Sequence, residues 1–206
     1  MENRYMDSAA TSFPKAPGVG EAMLHYINEI GCSVNRGAYS GAYQVESIIY
    51  ETREYLARLF HCEKPEYVAF TRNITESLNI AIRGLFKPGD HVIVSSMEHN
   101  AVMRPLNAAV QRGVEYSRIG CSPQGVLDIE GLIREIRKNT KAVILTSASN
   151  VCGTMMPVDA IGHICKERGL AFIVDGAQGA GFMDLDMKGS HIDMLAFTGH
   201  KGLLGP

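Results

Sequence analysis

The chain has 206 residues, 46% of them hydrophobic, which is enough for one substantial core and a small appendage. Its 20 basic and 22 acidic residues leave a formal charge of -2 with no long run of either sign, so neither nucleic acid nor an anionic membrane is an obvious partner and a small molecule is favoured. Five cysteines (Cys32, Cys62, Cys121, Cys152 and Cys165), odd in number and without a C-x-x-C pair, argue against a disulfide framework or thiolate zinc site.

Reduced thiols in a cytoplasm are therefore expected. MENRYMDSAATS carries no basic region followed by an apolar stretch, and no apolar run approaches membrane-spanning length, so the protein reads as soluble. Residues 1–65 read as a mainly helical N-terminal segment. There EAMLHYINEI (21–30) and the stretch 43–60 carry apolar residues at helical spacing, on either side of the turn-forming GCSVNRGAYSG.

Residues 66–206 alternate strand and helix. Short apolar runs at YVAF (67–70), HVIVSS (91–96), VEYSRI (114–119), AVILTS (142–147), AFIV (171–174) and MLAF (194–197) read as buried strands. Asn73, with Glu76 three residues on, predicts a capped helix from Ile74 whose Leu78, Ala81, Ile82 and Leu85 share one stripe, ended by Pro88 and Gly89. DIEGLIREIRKN puts Ile129, Leu132, Ile133 and Ile136 on one face, and Pro157 opens a helix through Val158, Ile161, Ile164 and Cys165. The alternation implies an α/β fold, a mostly parallel sheet with flanking helices.

In open α/β sheets ligands bind beyond the carboxyl ends of the strands, and five polar clusters fall there: TRNITES, MEHN, ASNVCGT, DGAQ and TGHK. Each has a plain reading. Asn73, Ile74 and Thr75 at a helix start serve as a cap or hold a phosphate against the positive helix end. His99 is a structural histidine or a flat ring for stacking on a flat cofactor. Asp175 is a turn aspartate, or a strand-end carboxylate whose burial demands a cation. Lys201 is a solvated turn lysine, a phosphate ligand or an imine-forming amine.

Competing sites fit less well. GAQGAG reverses the dinucleotide spacing, and GHKG lacks the Walker arrangement. Nothing near Cys152 in NVCG lowers its pKa, so it reads as packing, and His61 beside Cys62 and His163 near Cys165 lack the further ligands of a metal site. A lysine, a carboxylate, a stacking ring and a phosphate-binding helix start are together what pyridoxal phosphate (PLP) requires. Lys201 is thus read as the imine-forming residue.

YMDSAATSFPK, FTRNITESLNIAI, SSMEHNAVMRPL, ASNVCGTMMPV, IVDGAQGAG and FTGHKGLLGP, in this order, resemble the class V aminotransferase family of PLP-dependent fold type I, in its cysteine desulfurase and selenocysteine lyase branch. The resemblance implies that Lys201 anchors the cofactor and then works at the substrate α-carbon. It implies that His99 stacks on the pyridine ring, that Asp175 pairs with its nitrogen, and that Gln178 hydrogen-bonds its phenolic oxygen. Ile74 through its amide, the hydroxyls of Thr75 and Thr198 and the ring of His200 would hold the phosphate. Asn150 would touch the substrate or the phenolic oxygen, and Ala9 and Ala10 would border the substrate pocket.

The implied activity is removal of sulfur or selenium from L-cysteine or selenocysteine to give alanine, with a homodimer and a sulfur-acceptor protein as expected partners. An aminotransferase or epimerase on the same scaffold, and a non-catalytic PLP-binding or interaction module, are the alternatives. Relatives run to nearly twice this length. The small domain, the loop with the catalytic cysteine and the carboxylate-binding arginine are expected beyond Pro206, and residues 1–206 alone are not expected to complete sulfur transfer.

Overall fold

The computed structural model describes residues 4–34 and 37–206, so Asn35 and Arg36 of the first turn lie outside the described residues. Helix α1 (Val19–His25) passes into a π-helical turn (Tyr26–Ile30). The predicted single helix ends this way because Gly31, in the left-handed region at φ 54°, turns its N–H back to the Tyr26 carbonyl at 2.7 Å. The long helix α2 (Ser40–Leu59) follows.

Helix α3 (Ile74–Leu85) starts as its sequence requires. The Asn73 side chain accepts the Glu76 N–H at 2.9 Å, and the Glu76 carboxylate accepts the Arg72 N–H at 2.8 Å. Beyond it come β1 (His91–Ser95), α4 (Asn100–Val110), β2 (Glu115–Ile119), α5 (Ile129–Arg134), β3 (Thr140–Thr146), α6 (Val158–Arg168), β4 (Ala171–Asp175) and β5 (Met194–Ala196). The five strands form one parallel sheet in the order β2-β1-β3-β4-β5.

Strand alternation sends side chains to two cores. Val92, Val94, Ala142, Ile144 and Ile173 meet Leu78, Ile82, Val102 and Leu106 of α3 and α4 on one face. Ile93, Val143, Leu145, Phe172 and Val174 meet Leu132, Ile161 and Cys165 of α5 and α6 on the other. Covered on both faces, the central strands read as continuous apolar runs.

Four expectations need correction. YVAF is not a strand: Pro65 opens a 3-10 turn (Pro65–Tyr67), Val68 is extended, and no strand pairs with this segment among the described residues. Without a ladder partner its β-favouring residues gain no strand, and Tyr67 and Phe70 stay exposed. The runs VEYSRI and MLAF do form strands, but at the two sheet edges, so they are only partly buried. The helix foreseen over 128–139 stops at Arg134, because the last turn tightens with Glu135 N–H bonding to Gly131 and Leu132, and Thr140 then draws in the Arg137 N–H at 2.7 Å. Helix α4 was not foreseen at all, its pattern being interrupted by Pro105.

Candidate active site

The chain runs from β1 outward to β2 and then crosses back to β3 on the far side of β1. That reversal opens a crevice beyond the carboxyl ends of β1 and β3. MEHN follows β1, ASNVCGT follows β3, DGAQ begins with the last residue of β4, and TGHK lies shortly after β5. Only TRNITES departs from the expected placement, since it opens α3 without a strand before it.

Asp175 ends β4, is 2% exposed, and accepts the Ala177 N–H at 2.9 Å. Burial pushes its carboxyl up from the usual range, while the Ala177 N–H, His99 and Lys201 pull it down. The Lys201 amine is pushed down by its own burial and held up by Asp175. The carboxylate and the amine therefore sense one another, with His99 as the third member of the group. His99 caps α4, its Nδ1 accepting the Ala101 N–H at 3.1 Å, which puts the ring proton on Nε2. His99 and Thr75 line one cavity of about 300 Å³ that runs between α3 and α4 as far as Arg83 and Arg104, and neither Asp175 nor Lys201 is among its lining residues.

The N-terminal segment completes this end of the sheet. Gln178 Nε2 donates to the Ala9 carbonyl at 3.0 Å, so two predicted residues 169 positions apart meet. The His200 carbonyl accepts from Ser12 N–H at 3.0 Å, from the hydroxyls of Thr11 and Ser12 at 2.9 and 3.0 Å, and from Lys15 Nζ at 3.1 Å. His200 Nδ1 shares a hydrogen with Thr11 Oγ1 at 3.0 Å. Burial first, then Lys201 and Lys15, lower the His200 pKa. Thr198 is buried just beyond β5, whereas Asn150 and Ala10 are exposed, the former in the turn after β3.

Close packing holds the DGAQ and TGHK turns together. A Cβ at Gly202 would collide with the Ala180 carbonyl, and one at Gly181, which sits at φ 87°, with the Gly202 carbonyl. Sequence reasoning missed Thr11, Ser12 and Lys15, which no spacing signal links to His200, and Glu98, which a carboxylate directly after a buried strand should have flagged.

One reading is overturned. Cys152 is exposed, and hydrogen bonds from Ser149 and then Thr154, whose Oγ1 is 3.3 Å from Sγ, lower its pKa to about 7. Cys165 is the inert thiol, buried under α6 and pushed up to about 12.

The donor set suits PLP: a buried carboxylate and a half-buried amine that influence one another, an imidazole capping a helix, and a helix start lined by a hydroxyl. A model of the aminotransferase class-V family matches residues 4–206. The chain is 36% identical over 203 residues to a probable cysteine desulfurase of Methanothermobacter thermautotrophicus, covering 98% of this chain and 50% of that protein. It is 34% identical over 206 residues to cysteine desulfurase IscS of Rickettsia felis, covering 98% and 50%. Among solved structures it is similar to apo cysteine desulfurase from Thermococcus onnurineus NA1, with a TM-score of 0.91, 34% identity and coverage of 98% and 51%. It is also similar to the cysteine desulfurase CsdA of Escherichia coli, with a TM-score of 0.85, 31% identity and coverage of 98% and 51%. The chain spans about half the length of the curated relatives it matches.

Proposed function

Since the chain belongs to the aminotransferase class-V family, whose members are PLP-dependent, we propose that it carries the cofactor half of a cysteine desulfurase site, acting on L-cysteine or selenocysteine and leaving alanine. The observation that carries the reading is the mutual influence of Lys201 and Asp175, with His99 acting on Asp175, at the carboxyl end of one parallel sheet. The choice of sulfur chemistry within the family rests on the relatives named cysteine desulfurase. Residues 66–206 are the cofactor-binding unit of this proposal, and residues 1–65 supply its N-terminal cover.

When bound, the cofactor supplies an electron sink for the electrons left on the substrate α-carbon. Lys201 anchors it and moves the α-proton, a task helped by burial that raises the fraction of uncharged amine. Asp175 would pair with the pyridine nitrogen and keep it protonated. His99 offers a ring face fixed by the Ala101 N–H. One Gln178 N–H is held by Ala9 and the other is left for the phenolic oxygen.

The Ile74 amide at the positive end of α3, the hydroxyls of Thr75 and Thr198, and the ring of His200 hold the phosphate. Asn150, Ala9 and Ala10 border the amino-acid substrate. A homodimer and a sulfur-acceptor protein are the partners of this reading.

The test is to supply the intact purified protein with PLP and L-cysteine under reductant and to quantify sulfide and alanine. Equal, sustained release of the two supports the desulfurase, with selenocysteine as the second substrate to compare. Release of a keto acid or racemised amino acid without sulfide would replace it with an aminotransferase or epimerase.

A further inference from the structure

Glu98 lies in the turn after β1, beside the crevice where the strand order reverses, and its carboxyl is buried although its stem reaches the surface. Oε1 accepts from the Ser95 hydroxyl at 2.6 Å and from the Thr146 N–H at 2.9 Å, so the side chain ties the turn carrying His99 to the last residue of β3. Oε2 is shielded from solvent and has no hydrogen-bond partner among the described residues. Thr146 pairs in register with Asp175, which places the two carboxyls one strand apart.

We propose that Glu98 is a positioning residue held as a neutral carboxylic acid, fixing the Met97–His99 turn against β3 and leaving Asp175 as the single anion that faces the cofactor. An ionised carboxylate with an orphaned, desolvated oxygen next to a second carboxylate is costly, and a proton on Oε2 exchanges the cost of a buried charge for the smaller one of a buried neutral hydroxyl. Desolvation, with a smaller contribution from Asp175, raises Glu98 to about 8 against the pull of Ser95 and Thr146. The titratable groups gathered at this strand end are Asp175 on β4 and, acting on Asp175, His99 and Lys201.

Only the role of Asp175 as counter-ion rests on the proposed function; the protonation state stands apart from it. The first arm is therefore infrared difference spectroscopy of the intact protein without cofactor, titrated from about pH 6 to 10. Wild type should show a protonated-carboxyl carbonyl band that disappears with a midpoint near 8, and Glu98→Gln should lack it. A wild-type spectrum at pH 6 identical to that of Glu98→Gln would overturn the inference.

The second arm measures PLP affinity by absorbance. Glu98→Ala should weaken it by roughly tenfold or more, because a displaced turn moves His99, and Glu98→Gln should restore most of that loss. Equal damage from both variants would show that the positioning role is wrong, even if the desulfurase reading stands.

Discussion

In the proposed site, Asp175 costs the fold stability and returns it as chemistry. Its folded pKa is raised by burial, so the native state holds the proton more tightly than the unfolded chain, and stability falls as pH rises above the ordinary carboxylate range of about 4. Cofactor-free Asp175→Asn should accordingly melt at or above the wild-type temperature at pH 7, as followed by circular dichroism. Turnover should drop by several orders of magnitude, because an unprotonated pyridine ring is a poor electron sink. Near-normal turnover would remove Asp175 from the mechanism. Cys152 gives a second test at this scale. With its thiol lowered to about 7, mainly by Ser149 and then Thr154, alkylation by iodoacetamide should reach half its maximal rate near pH 7. Cys165 should stay unmodified until the protein unfolds. Faster labelling of Cys165 than of Cys152 would contradict the placement of both.

Elements show where sequence reading succeeds and where it stops. Helix α3 was legible because its cap is local: Asn73 and Glu76 lie three residues apart and form the foreseen bond. Asn73→Ala should destabilise the protein by about 1 kcal/mol in urea unfolding, and no measurable loss would mean that the cap is redundant with the Arg72–Glu76 pair. The segment YVAF was misread because a strand is a property of two segments, and composition says nothing about the partner. The same limit explains the site. Lys201, Asp175, His99 and Thr75, the residues proposed for the site, stand out because each lies at or shortly after a strand end or at the start of a helix, where the fold class puts ligands. The contacts of Lys15 with His200 and of Glu98 with Thr146 span 185 and 48 positions, and no periodicity reports a bond over such a distance.

At the scale of the whole molecule, the accessible surface of 12398 Å² exceeds the about 9,500 Å² expected of a compact monomer of 22.5 kDa. Tyr43, Ile48, Tyr50, Tyr55 and Leu59 of α2 are among the exposed apolar residues. Such a surface favours association, so sedimentation velocity of residues 1–206 at micromolar concentration should give a dimer or larger species, and a monodisperse monomer would contradict this. The sheet, its two cores and the turns at its carboxyl edge all lead to one position, the amine of Lys201. Its proposed role is tested most directly by treating the intact protein with PLP and borohydride, digesting it, and locating the reduced pyridoxyl group by mass spectrometry. The account predicts a single adduct on Lys201 that is absent from Lys201→Ala. An adduct on another lysine, such as Lys141 at the opposite end of the sheet, or none at all, would contradict it.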